Sequence, residues 1–178
     1  KFLIPIIFSF PLLTVIRVDS IFIPMIGLVD LTNIAFFDFT WEDIFRISLI
    51  PVYIMVVSNL VNMYSGYNGL QSGLSVILIS TILFKSWMDG IIFTVTPVAA
   101  FLGAILAHLY YNFYPSKVFE GNIGSLLFGS IIGSVIVIQQ YWFFGFFILI
   151  PHTFNFILWV IWLLMMRFEP EIFLVPTG

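Results

Sequence analysis

The chain has 178 residues, 61% of them hydrophobic and 8% charged, with a net charge of −3 and a mean hydropathy of +1.15. Soluble domains carry about 25% charged residues, so this composition excludes an ordinary soluble globule and describes an integral membrane protein. The acidic balance offers no field for nucleic acid, and the absence of cysteine excludes disulfides and thiolate metal sites.

In chain order, FLIPIIFSFPLLTVI (2–16) is a short apolar run holding Pro5 and Pro11. It is long enough for a membrane span only if its helix begins at or before Lys1. The acidic stretch 17–43 follows, and RVDSIFIPMIGLVDL within it alternates polar and β-favouring residues. That alternation predicts a short hairpin outside the membrane near 17–33. Thr40 with Asp43 three residues on is a capping-box pattern that opens a helix. Apolar spans then run over about 44–63, 69–84, 90–110, 123–139 and 141–166, near the roughly 17–25 helical residues that a hydrocarbon core requires. Pro51, Pro97 and Pro151 predict kinks within them. Gly121, Ser125, Gly129 and Gly133 recur at a spacing of four, a face on which another backbone can approach closely. The expected fold class is an all-α polytopic helical bundle of about six transmembrane helices, one domain over 1–178. The chain begins without an initiator Met and ends at VPTG without a tail, and it is read as a piece of a longer polytopic protein.

Two spans separate the loop at 64–68 from the loop at 111–122, so both must open on one side of the membrane. Lys1 and the stretch after Met166 fall on that side, and the 17–43 segment and Asp89 fall opposite. Lys and Arg divide three to three between the sides (Lys1, Lys117 and Arg167 against Arg17, Arg46 and Lys85), which leaves the positive-inside rule silent. Polar side chains nevertheless gather at one end. Asn59 and Asn62 share a helical face, Gly66 and Asn68-Gly69 form a turn, and YPSKVFEGNIGS adds an exposed aromatic, Glu120, Asn122 and a helix N-terminus. Any one asparagine reads as a cap. Together they suit a nucleoside diphosphate with a hard cation: amide oxygens for the metal, a helix start for phosphate, an aromatic face for a base. His108 and His152 read as hydrogen-bonded packing residues rather than ligands.

Two of these segments resemble the polyprenyl-phosphate N-acetylhexosamine-1-phosphate transferases (glycosyltransferase family 4). The pattern N-x-x-N-x-x-x-G-x-N-G-L stands in full at 59–70, and YPSKVFEGN at 114–122 is similar to a second motif, Y-P-(S/A)-x-V-F-x-G-D. PHTFNF (151–156) and KFLIPIIFSFPLL look like further family segments. The nearer likeness is to the eukaryotic and archaeal branch, which moves GlcNAc-1-phosphate from UDP-GlcNAc to dolichyl phosphate and releases UMP, the first step of lipid-linked oligosaccharide assembly for N-glycosylation. The resemblance implies Mg2+, or Mn2+, as cofactor and a UDP-sugar and a polyprenyl phosphate as partners, with a homodimer conceivable. It implies an integral membrane location, in a plasma membrane or the endoplasmic reticulum, with the active face cytoplasmic. It assigns Asn62 and Asn122 to the metal, with Glu120 a further carboxylate beside them. Asn68, Gly66 and Asn59 fall to the nucleotide, Phe119 to stacking on uracil, and Lys1 to the pyrophosphate as the catalytic lysine. Two departures stand out: Asn122 occupies the place of an aspartate, and MMRFEPEIFLVPTG lacks the H-x-R pattern of the family's basic loop. The family's paired aspartates would lie just before Lys1. A catalytically weakened homologue that binds nucleotide or lipid without turnover is the alternative these departures raise. A transporter fragment is disfavoured by polar groups that sit at helix ends rather than mid-span.

Overall fold

The structure is a computed structural model that describes residues 3–37 and 39–168. Among these, five helices are long and apolar enough to cross a membrane: Trp41–Asn62, Leu70–Met88, Ile92–Asn112, Gly121–Ile138 and Ile150–Phe168. The chain is therefore an all-α polytopic membrane protein. A shorter apolar helix, α1 (Ile4–Val15), precedes them; its 12 residues rise about 18 Å, short of the ~30 Å core.

The expected hairpin is present. Strands β1 (Ser20–Ile23) and β2 (Gly27–Asp30) pair antiparallel with Ser20 opposite Asp30 and Ile23 opposite Gly27. A second small pair, β3 (Ile34–Phe36) with β4 (Phe39–Thr40), leads into the first long helix. That helix starts with the capping box: the Asp43 amide donates to Thr40 Oγ1 at 3.1 Å, and the Thr40 amide donates back to Asp43 Oδ2 at 3.1 Å. Helix α2 (Trp41–Ile44) passes through one π-helical turn (Phe45–Leu49) into α3 (Ile50–Asn62). Pro51 near the start of α3 has no N–H to donate, and the wide turn just before it accommodates that loss. Arg46 fastens this end of the bundle: it pairs with Glu42 at 3.1 Å and Asp43 at 2.8 Å, and donates to the Leu13 carbonyl at 2.7 Å.

Helices α4 (Leu70–Met88) and α5 (Ile92–Asn112) form an antiparallel hairpin, followed by α6 (Gly121–Ile138). The small-residue face of α6 lies against α3. A Cβ placed on Gly129 would fall 2.5 Å from Ser58 Cα, and one on Gly133 would fall 3.4 Å from Ile54 Cα. Ser58 and Ser130 hydroxyls bond across the same seam at 2.8 Å. Small residues let backbones meet where lipid gives no hydrophobic reward for association. Val57, Val61, Ile79, Ile82, Ile105, Ile132 and Ile136 fill the core among α3, α4, α5 and α6. Leu13, Ile16, Val18, Ile50, Ile54 and Val137 close a second cluster under α1.

The span expected over 141–166 is built from α7 (Trp142–Ile148) and α8 (Ile150–Phe168), with a turn at Leu149 just before Pro151. Opposite the asparagine-rich loops, the α4–α5 and α6–α7 connections are locked together. The Gln139 side chain accepts from Ser86 Oγ at 2.9 Å and donates to Thr94 Oγ1 at 2.6 Å. Lys85 pairs with Asp89 at 2.8 Å and lies 4.5 Å over the Tyr141 ring. The Lys85 hydrogen bond, with a second from Tyr141, holds the Asp89 carboxyl below its ordinary range.

Candidate functional site

The two loops predicted to share a side meet at one residue, Asn112, the last residue of α5 and fully buried. Its Oδ1 accepts the Gly69 amide at 2.8 Å and faces Ser72 Oγ at 3.3 Å. Its Nδ2 donates to the Val118 carbonyl at 2.8 Å. The loop before α4 and the loop before α6 are thereby tied to a single amide. Gly69 is required there twice over: its φ is +71°, and a Cβ would sit 3.3 Å from the Phe113 ring.

Asn62 ends α3 and faces the first turn of α6. Its Oδ1 accepts from Ser125 Oγ, whose hydroxyl also lies 2.7 Å from the Gly121 carbonyl and 3.2 Å from the Asn122 carbonyl. One buried serine thus joins Asn62 to the backbone at Asn122, bringing the two proposed metal-side asparagines to one place. Asn122 is exposed at the second position of α6, in the turn whose free N–H groups carry the positive end of the helix dipole. Gly66 and Asn68 are exposed in the turn before α4, and Phe119 stands 55% exposed on the loop before α6. These groups ring the same end of the bundle as Asn62 and Asn122. Asn59 lies one helical turn deeper, its Nδ2 donating to the Met55 carbonyl at 2.7 Å. Lys1 lies outside the described residues.

Glu120 points the other way from its neighbours. Its side chain has no exposed surface; Oε1 accepts from Ser72 Oγ and lies 3.4 Å from His108 Nε2, an ion pair when the imidazole is protonated. His108 Nε2 faces this carboxylate without a hydrogen bond, so the histidine packs as expected but is not hydrogen-bonded there. His152 is buried with its ring 4.9 Å from that of Tyr64. The Tyr64 hydroxyl donates to the Pro151 carbonyl at 3.2 Å, and burial raises its phenol above the ordinary value.

Sequence reasoning passed over Ser72 and took Ser125 only for a packing residue and Asn112 only for a polar loop residue, although all three build this end. Each sits at a helix terminus beside a motif, but its partner lies 40 or more positions away in the chain. Among the described residues no group of three or more His, Cys, Asp or Glu could hold a metal ion. A cation here would rest on amide oxygens, which are hard donors without charge.

Fold and site define a polytopic membrane protein with an amide-lined polar end formed by two linked loops. The chain belongs to Glycosyl transferase family 4, whose model matches residues 1–140. It is similar to a provisionally assigned UDP-N-acetylglucosamine–dolichyl-phosphate N-acetylglucosaminephosphotransferase of Sulfolobus acidocaldarius, 32% identical over 65% of this chain and 36% of that protein. A phospho-N-acetylmuramoyl-pentapeptide-transferase of Clostridium kluyveri is 34% identical over 57% of this chain and 32% of that protein. A provisionally assigned undecaprenyl-phosphate N-acetylglucosaminyl 1-phosphate transferase of Bacillus subtilis is 33% identical over 52% of this chain and 26% of that protein. The chain spans about a third of the length of the curated relatives it matches.

Proposed function

We propose that the protein transfers a hexosamine-1-phosphate group from a UDP-sugar to a polyprenyl phosphate, releasing UMP, and that GlcNAc and a dolichyl-type lipid are its donor sugar and acceptor. Family membership and the names of the relatives support the transfer, and the Sulfolobus relative favours GlcNAc and dolichyl phosphate. The observation that carries the reading is the convergence of Asn62, Asn122, Asn68, Gly66 and Phe119 on one end of the bundle through Asn112 and Ser125.

In this reading Phe119 stacks on the uracil, Asn68 reads its edge, and the Gly66 backbone lies beside it. Asn59 backs the Asn62 helix face from one turn below. The opening turn of α6 receives phosphate on its free N–H groups. Asn62 and Asn122 would hold Mg2+ or Mn2+, whose chemistry is to neutralise the phosphate charge during transfer. Their neutral amide oxygens fit a hard cation in company with the diphosphate, whose own oxygens bring the missing charge. Lys1 would add a positive charge near the pyrophosphate. The work of the described residues is to bind and align two phosphates at a membrane face, here taken as cytoplasmic.

The deciding experiment incubates the full-length membrane protein with radiolabelled UDP-GlcNAc, polyprenyl phosphate and Mg2+, then extracts lipid. Label in the organic phase together with released UMP is expected. A single observation, an amide at Asn122 where the family motif has a carboxylate, favours a second reading as a binding homologue without turnover. UDP binding with no labelled lipid would establish that alternative.

A further inference from the structure

We propose that Glu120 is a positioning residue, its buried carboxylate clamping the turn 119–122 to α4 and α5 so that the Phe119 ring and the Asn122 amide are held for the nucleotide. This rests on the nucleotide reading above for its consequence, though not for the clamp itself. The carboxylate is fully enclosed, accepts from Ser72 Oγ on α4, and lies 3.4 Å from His108 Nε2 on α5. Its other oxygen, Oε2, is buried with no hydrogen-bond partner.

A buried carboxylate with one oxygen left unpartnered is costly to keep, and its place is explained where it holds geometry that a looser arrangement would lose. The chain on either side shows what is held. Phe119 is 55% exposed, Asn122 is exposed, and Gly121 between them takes φ +60°. The backbone thus reverses around an inward Glu120 and presents its two neighbours outward. Asn112 fixes the loop on one side at the Val118 carbonyl, 2.8 Å away, and Ser125 holds the Gly121 and Asn122 carbonyls on the other, but neither bond reaches the stretch between them. Glu120 supplies the anchor between those two, and it sets which way the side chains on either side of it face. A group buried in this way serves a bound ion only through the residues it orients.

The test uses the full-length protein in nanodiscs, with Glu120→Ala, Glu120→Gln and Ser72→Ala. A spin label at Lys117→Cys reports loop mobility without nucleotide, calorimetry reports UDP affinity, and a Mg2+ titration at saturating UDP reports the metal. Glu120→Ala should raise label mobility and weaken UDP by about tenfold or more, the size of effect expected when an aromatic–base stack such as that of Phe119 is lost. Its Mg2+ half-saturation should rise as well, because the Asn122 amide loosens with Phe119. Glu120→Gln retains an oxygen for Ser72 Oγ and should restore most of the UDP affinity. Ser72→Ala should move mobility and affinity in the same direction as Glu120→Ala and by less, which keeps the clamp testable if Glu120→Ala fails to fold. Unchanged mobility and affinity in Glu120→Ala would overturn the proposal. So would a Glu120→Gln protein that keeps its UDP affinity but needs far more Mg2+, because that makes the carboxylate a ligand. A wild-type protein that does not bind UDP, with mobility still raised in Glu120→Ala, would remove the nucleotide reading and leave the clamp standing.

Discussion

Replacing Gly129 with Ala tests the seam on which the polar end is built. The new methyl would lie 2.5 Å from Ser58 Cα and 3.0 Å from the Ser58 carbonyl oxygen. Non-bonded carbons settle about 3.5–4.0 Å apart, so α6 must retreat from α3 by about 1 Å or more. Overpacking of a well-filled contact costs about 1–3 kcal/mol. The upper part of that range applies, because the atoms struck are backbone and cannot rotate aside. The retreat also strains the Ser58–Ser130 bond of 2.8 Å and, one helical turn further, the Ser125–Asn62 bond. The expected outcome is a lower thermal midpoint for the full-length protein in detergent, together with weaker UDP binding. Gly103→Ala is the control: nothing lies within 4 Å of its added atom, and alanine is the better helix former by about 0.5–1 kcal/mol. That variant should match or exceed the parent in stability. A Gly129→Ala protein with unchanged midpoint and unchanged UDP affinity would refute the close seam and its link to Asn62.

Cysteines introduced at Tyr67 and Lys117, both exposed, should react with an impermeant thiol reagent from one side of the membrane, and one at Asp19 from the other; labelling of Tyr67 and Lys117 from opposite sides would break the site apart. Phe119→Ala should weaken UDP binding by the roughly 1–3 kcal/mol of an aromatic–base stack, measured by calorimetry. Asn68→Ala should lose discrimination between UDP and other nucleoside diphosphates, and equal preference in variant and parent would remove that residue from the base pocket. Asn122→Asp adds a carboxylate in the first turn of α6, where the helix dipole also favours it; the Mg2+ concentration for half-maximal UDP binding should fall, and an unmoved titration would take Asn122 out of the metal site.

The spans were legible because hydropathy is a local property: the windows over 44–63, 90–110 and 123–139 fall on helices the structure contains. The Thr40 capping box was legible for the same reason, since both partners lie within four residues. Parity alone placed the loops at 64–68 and 111–122 together, and the Gly69–Asn112 bond realises that placement. The division of 141–166 at Leu149 was not visible, because Pro151 announces a disturbance without fixing on which side of it the helix breaks. Glu120 was illegible in a different way. From sequence it is a carboxylate beside a metal position, and only the Gly121 backbone with the Ser72 and His108 partners decides that it faces inward. Side-chain direction at a helix start is a tertiary fact.

The shared amide of Asn112 has a consequence for how a ligand could leave. Because the Gly69 N–H and the Val118 carbonyl hang from the same side chain, the lip carrying Asn68 and the lip carrying Phe119 travel as one body. A nucleotide gripped by both cannot escape by one lip peeling back while the other stays, so an exit route has to open elsewhere around the rim. Substitutions within the two lips would then shorten residence by weakening the bound state, while the height of the gate itself would belong to other parts of the chain.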